Sequence, residues 1–148
     1  MRSIRRAQGA DAASLQVLYQ ELHPYENIEV TSSRLESLAQ SDDTHIFVSE
    51  ESGEVLATAT VFLCQDVLRG DTPFALVENM VVSSHYLREG IGKSLVDFIE
   101  SFCLEKNCSR IVLLSDQDNR NARDFITAMG YDPDASIGFI KLRKYFGQ

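Results

Sequence analysis

The chain has no tryptophan, only three prolines and only three cysteines in 148 residues. Cys64, Cys103 and Cys108 cannot all pair within one chain, and none stands in a C-x-x-C or Cys/His ligand spacing. A disulfide framework and a cysteine-bound metal therefore drop out, and free thiols in a reducing compartment are expected. Basic residues are also scarce: 14 Lys and Arg against 22 Asp and Glu leave a formal charge of −8. That balance argues against broad binding to nucleic acid or anionic lipid and accommodates a cationic partner more easily. No apolar run approaches the roughly 18 residues that span a bilayer. The first residues, through Arg6, carry charge with no apolar stretch behind them, so no secretory leader is expected either. A soluble, cytoplasmic chain is the expectation.

Neither Pro- or Ser-rich stretches nor internal repeats interrupt the sequence, so residues 1–148 read as a single continuous domain. Hydrophobic residues make up 44% of it. At this length a chain buries roughly 68–70% of its unfolded surface, and needs neither disulfide nor metal to fold. Residues 3–7 suit a short strand. Asp11 then caps a helix with Leu15, Leu18, Tyr19 and Leu22 at helical spacing, ended by His23-Pro24-Tyr25. A second, shorter helix runs through Leu35, Leu38 and Ala39, with Ser33 and Glu36 in a capping-box relation. Residues 45–49 and 54–65 alternate with β-branched side chains around Glu51-Ser52-Gly53, which reads as a hairpin. Residues 74–82 form a third apolar strand, interrupted by Glu78-Asn79. From Ile91 the period returns to 3.6, with Leu95, Phe98, Ile99, Phe102 and Cys103 on one stripe to about Lys106. A short strand at 110–114, a helix at 121–129 ended by Gly130, and an alternating strand at 139–146 complete the order β α α β β β α β α β. A meander that passes into β-α-β-α-β implies an α/β fold: a mixed sheet of six to seven strands flanked by four helices.

The segment richest in chemistry is the strand that runs through Val81 and Val82 into Gly90-Ile91-Gly92 and straight into the strongest helix. Glycines let the backbone approach a ligand, and the unpaired N–H groups of a helix's first turn face it with about half a positive charge. Phosphate or pyrophosphate is the expected guest, with Arg88 and Lys93 able to add charge-assisted hydrogen bonds. The nucleotide loops do not fit. G-x-x-x-x-G-K-[ST] fails because Leu87 stands five before Gly92, and G-x-G-x-x-G fails at Leu95. His85 belongs to no Ser/His/Asp set.

This stretch, with Glu78 upstream and Asn119-x-x-Ala122 and Gly130-Tyr131 downstream, resembles the Gcn5-related N-acetyltransferase (GNAT) superfamily over nearly the whole chain. The family's loop pattern is Gln/Arg-x-x-Gly-x-Gly/Ala, and Gly90 and Gly92 match both glycines. Asn119 and Ala122 match its Asn-x-x-Ala motif. The resemblance implies acetyl-CoA as co-substrate and no metal. Its pyrophosphate would lie on Leu87, Arg88, Glu89, Gly90, Ile91, Gly92, Lys93 and Ser94, its pantetheine along Met80, Val81 and Val82, with Asn119 and Ala122 also at the cofactor. It further implies two parallel strands that splay apart, here at residues 79–82 and 111–114, and leaves room for a homodimer. Two departures stand out: Leu87 occupies the Gln/Arg position, and Ile126 replaces the tyrosine that often serves as general acid.

Acetyl transfer needs a neutral amine, and a lysine-like ammonium has a pKa of about 10.4, so a base must take its proton. Glu78 lies amid apolar residues, where a carboxylate pKa rises, and related acetyltransferases place a base there. Ser115 and Tyr131 are candidates for supplying the leaving thiolate's proton, beside water. Residues between the first two helices border the acceptor cleft in this family, which points to His23 and Tyr25. The expectation is an N-acetyltransferase acting on a primary amine of a small molecule. A protein N-terminus or lysine as acceptor, and a regulatory acyl-CoA-binding module that has lost turnover, stay open.

Overall fold

Residues Met1–Gln148 are all described by the computed structural model, and they fall into two compact units, Met1–Leu114 and Ser115–Gln148. The first holds β1 (Arg2–Arg6), α1 (Ala12–Leu22), α2 (Ser32–Leu38), β2 (Thr44–Glu51), β3 (Glu54–Cys64), β4 (Phe74–Val82), α3 (Ile91–Glu105) and β5 (Ile111–Leu113). Its sheet follows chain order, β1-β2-β3-β4-β5. Neighbours are antiparallel as far as β4, and β4 pairs β5 in parallel. Ser52 and Gly53 join β2 to β3, both with left-handed backbones (φ 52° and 83°). That two-residue turn has the twist a hairpin requires.

Opposite pleats of the sheet feed separate cores. Ala57, Ala59, Val61, Ala75 and Val77 pack with the α3 stripe of Ile91, Leu95 and Ile99. On the other face, Val48 of β2 packs with Leu15 and Leu18 of α1 and Leu35 of α2. Fully burying a Leu or Ile side chain is worth about 1.5–3 kcal/mol, so the α3 stripe alone is enough to dock that helix.

Local capping departs from the sequence reading because acidic side chains are drawn to partners elsewhere. Asp11, 6% exposed, does not cap α1. Its carboxylate accepts two bonds from Arg5 at 2.9 Å and one from the Gln8 N–H at 2.8 Å. The Arg5 hydrogen bonds hold its carboxyl below the usual carboxylate range. Thr31, rather than Ser33, caps α2 by accepting the Arg34 N–H. Glu36 leaves its capping-box place to accept the Gly9 N–H at 2.6 Å.

The second unit holds α4 (Arg120–Ala128) and, beyond it, no strand. The sheet therefore has five strands rather than six or seven. The expected strand at 139–146 has no ladder partner, and its backbone bonds close locally instead. The Tyr145 N–H reaches the Leu142 carbonyl, and the Phe146 N–H the Arg143 carbonyl, both at 2.9 Å, forming a 3-10 turn at Arg143–Tyr145. Alternation makes a segment eligible for a strand; only a neighbouring edge makes it one.

Candidate active site

β4 is kinked where the sequence interrupts it. Thr58 faces Val81 and Thr60 faces Glu78 across the β3–β4 ladder, so two residues of β4, Asn79 and Met80, stand against the single Ala59. This is a β-bulge, and Asn79 absorbs it with φ at 55°, a conformation that Asn tolerates better than most residues. β4 also loses its other neighbour here. Pairing with β5 covers Ala75 to Val77 and ends with the Leu114 N–H on the Val77 carbonyl at 3.2 Å. From Glu78 to Val82, no β5 residue pairs with it. β5 ends at Leu113, so β4 runs on from Glu78 without a partner on that side, and β5 is the sheet's edge and not the central strand expected.

Glu78 is the first β4 residue beyond the pairing with β5. Ala75 and Val77 point into the α3-side core, so by the pleat Glu78 points to the α1/α2 face beside Thr60. The side chain is half-buried, and no hydrogen bond or ion pair occupies its carboxylate. Met80 and Val82 touch the α3-side core and Val81 the other.

β4 then leads into a loop held from three sides. The Ser83 N–H donates to the Leu56 carbonyl at 2.8 Å. Glu21 of α1 accepts from the Ser84 N–H and hydroxyl at 3.2 and 3.3 Å. The Tyr86 hydroxyl donates to Glu54 at 2.7 Å, and Arg2 donates to the Glu89 carbonyl at 3.3 Å. Arg88 (φ 65°) and Gly90 (φ 76°) both turn left-handed, and Gly90 offers α3 no side-chain cap. The Ser94 N–H and hydroxyl both go to the Gly90 carbonyl. The N–H groups of Ile91, Gly92 and Lys93 find no acceptor in the protein, which leaves an uncapped first turn with its dipole facing outward. Lys93 is tied to Asp97 at 2.8 Å, which raises the Lys93 pKa. Leu87, Arg88 and Glu89 are exposed.

A cavity of about 350 Å³ opens beneath α2 on the same face as Glu78. Ile46, Thr60 and Phe62 form its floor, and Asn79 of the bulge reaches its edge. Tyr19 of α1 is a wall; burial raises its phenol pKa, opposed by hydrogen bonds with Thr60 and Thr58. Glu29, Thr31, Arg34 and Leu38 complete the rim. Sequence reading missed these residues except as helix and strand formers. One signal was present, since an Asn inside an apolar strand marks a left-handed kink. His23 and Tyr25, expected at the acceptor, do not line this cavity. His23 ends α1 and pairs with Glu26 at 3.2 Å, and Tyr25 is fully exposed.

Within the second unit, Asn119 has a local task. Its side-chain oxygen accepts the Ala122 N–H at 3.1 Å and caps α4, so the Asn-x-x-Ala spacing is that of a cap and the third residue of its helix. Ile126 lies on α4 and is half-buried.

A five-stranded mixed sheet with α1, α2 and an uncapped α3 packed on its two faces, in a chain of four α-helices, defines the α/β fold of the acyl-CoA N-acyltransferases. The acetyltransferase (GNAT) family model matches residues 14–131, and the chain belongs to that family. Among solved structures it is similar to a putative acetyltransferase from Agrobacterium tumefaciens, at 25% identity and a TM-score of 0.85 over 95% of this chain and 99% of that one. It is also similar to glucosamine-6-phosphate N-acetyltransferase from Arabidopsis thaliana, at 26% identity and a TM-score of 0.75 over 99% of both chains. In sequence, a glucosamine 6-phosphate N-acetyltransferase of Arabidopsis thaliana is 27% identical over 90 residues, 59% of this chain and 60% of that protein. An aminoglycoside acetyltransferase complexed with a bisubstrate analogue of CoA, 18% identical with a TM-score of 0.79, shares the fold. No helix is long and apolar enough to cross a membrane.

Proposed function

We propose that this protein transfers the acetyl group of acetyl-CoA to a primary amine of a small molecule, with both compact units acting as one acetyltransferase domain. The observation that carries the reading is the alignment of three features along one stretch: Glu78 at the bulge, a β4 edge unpaired with β5 from Glu78 to Val82, and an uncapped α3 turn at Ile91, Gly92 and Lys93. Family membership over residues 14–131 spans both units and supports treating them as one. The co-substrate, when bound, supplies an activated acetyl thioester.

The residues present suit it. Amides of residues 88–93 would hold its pyrophosphate, with Arg88 adding charge where Leu87 cannot. On the side away from β3, where β5 does not pair, the main chain of Met80, Val81 and Val82 would hydrogen-bond the amide groups of its pantetheine as a strand would. Asn119 and Ala122 keep the cofactor-side role drawn from the family pattern. Glu78 removes the proton from the acceptor ammonium, which frees its lone pair for attack. A thiol pKa of about 8.5 lets the thiolate leave at neutral pH, so the lack of a hydroxyl at Ile126 slows the reaction without abolishing it. The acceptor occupies the cavity at the bulge, lined by Tyr19, Thr60 and Asn79.

The test is release of free CoA from acetyl-CoA across a panel of amino sugars, their phosphates, aminoglycosides, amino acids, polyamines and peptides. A small amine that is acetylated supports the reading. Acetyl-CoA binding without release on any acceptor would favour a regulatory module, the alternative that Leu87 and Ile126 motivate, and acetylation of peptides alone would move the acceptor to proteins.

A further inference from the structure

The charges around the cavity beneath α2 say more about the acceptor than its size does. Only two of its lining residues are charged, Glu29 and Arg34, and neither side chain enters an ion pair or hydrogen bond. Their backbones are nonetheless pinned. Gln16 donates to the Ile28 carbonyl at 2.8 Å and accepts the Val30 N–H at 2.9 Å, clamping both sides of Glu29. The Arg34 N–H is held by Thr31 at 3.2 Å. Both side chains are exposed, and two fixed stretches of backbone thus carry unspent charges of opposite sign at the border of one small space.

Building on the transferase reading above, we propose that the acceptor is a primary amine that also carries an oxyanion, a phosphate or a carboxylate, and that Arg34 is the residue that selects it. In a chain of net charge −8 this cavity is formally neutral. A polycationic acceptor would gain nothing at Arg34 and would be repelled by it, and an uncharged one would form no charge-assisted bond there. The planar fork of an arginine matches a carboxylate or phosphate with two parallel hydrogen bonds, a fit that lysine does not reproduce. Glu78 does not itself line the cavity, but its cross-strand partner Thr60 does, so a compact molecule held by its oxyanion at Arg34 would extend past Thr60 to bring its amine to Glu78. A volume of about 350 Å³ is at the small end of ligand sites.

The experiment compares matched acceptors that differ only in the oxyanion: phosphoethanolamine against ethanolamine, an amino sugar 6-phosphate against its parent, and 4-aminobutyrate against butylamine. The expected result is a kcat/KM higher by about tenfold or more for the anionic member of at least one pair, the scale of a charge-assisted hydrogen bond. The phosphate and carboxylate arms say which oxyanion is preferred. In Arg34→Gln that ratio should fall to about one, mainly through KM, and Arg34→Lys should recover only part of it. Preference for the neutral members, or an unaltered ratio in Arg34→Gln, would overturn the proposal. Should no amine be acetylated, the transferase reading fails by itself, and calorimetric titration of the same compounds decides this inference. Binding of an anionic amine to the native protein that is lost in a folded Arg34→Gln variant sustains it, and no binding to the native protein overturns it.

Discussion

A carboxylate with no partner, one step before a bulge, is an unusual use of a strand residue, and Glu78 is the only acid on β4. Glu78→Gln keeps its shape and removes its basicity. Turnover should fall about 10²-fold or more while acetyl-CoA affinity stays nearly constant. Steady-state rates from pH 5 to 9, with calorimetry for the co-substrate, check both points. Cys103 makes the opposite case. It is 3% exposed, and burial, with Cys108 beside it, pushes its thiol up to about 12. The thiolate is the reactive form, so maleimide at neutral pH should label Cys103 only after unfolding, as read by peptide mass spectrometry. Labelling in the native protein at the rate of an exposed thiol would contradict the packing. The places of Glu78 in an apolar strand and of Cys103 on a helical stripe were legible in residue type and neighbours. Arg34 was not, because the sequence shows only a charged residue on a short helix, and the cavity it faces is built from β2, β3 and β4.

Among the elements, α3 and the loop before it were readable because their information is local. The apolar stripe from Ile91 to Cys103 follows the helical period, and Gly90, with its left-handed backbone, marks the turn into the helix. Gly92→Asp puts a negative charge where phosphate must come. It should weaken acetyl-CoA binding about tenfold or more, since like charges a few ångströms apart repel by about 1–4 kcal/mol. An acidic residue in a helix's first turn favours the dipole, so the melting temperature should not drop with it. Calorimetric affinity together with a thermal melt separates the two. The clasps that hold this loop, from Glu21, Arg2 and Glu54, lie far away in sequence and left no trace in it. Residues 139–146 failed for the converse reason: their alternation is local, and strand formation is a property of pairs.

At the scale of the molecule, stability should answer to acid in two steps. His45 is 7% exposed, tilted against Phe102 at 4.7 Å between ring centroids and stacked on Phe47 at 5.9 Å. Its Nε2 lies 2.9 Å from the Asp42 carbonyl, which can only accept. Burial lowers its pKa from 6.5, so the unfolded chain binds the proton more readily. Stability should therefore decline as pH falls below about 6.5. Asp11, depressed from 3.8 by Arg5, adds stability that is present above that value and is lost below it. Urea titrations between pH 7.5 and 3 measure both slopes, and His45→Gln should flatten the first. A first slope that persists in the variant would assign it to another group.

The sequence by itself determined the α/β class, the helix stripes, the hairpin turn, the glycine loop before α3 and the family, because each is written in residue types at fixed short spacing. Tertiary structure alone decided that five strands pair, that β4 bulges at Asn79 and parts from β5 after Val77, and that Glu29 and Arg34 share a cavity with the partner of Glu78. These depend on which edges and faces meet, and a contact between residues dozens of positions apart has no period along the chain by which it could be read.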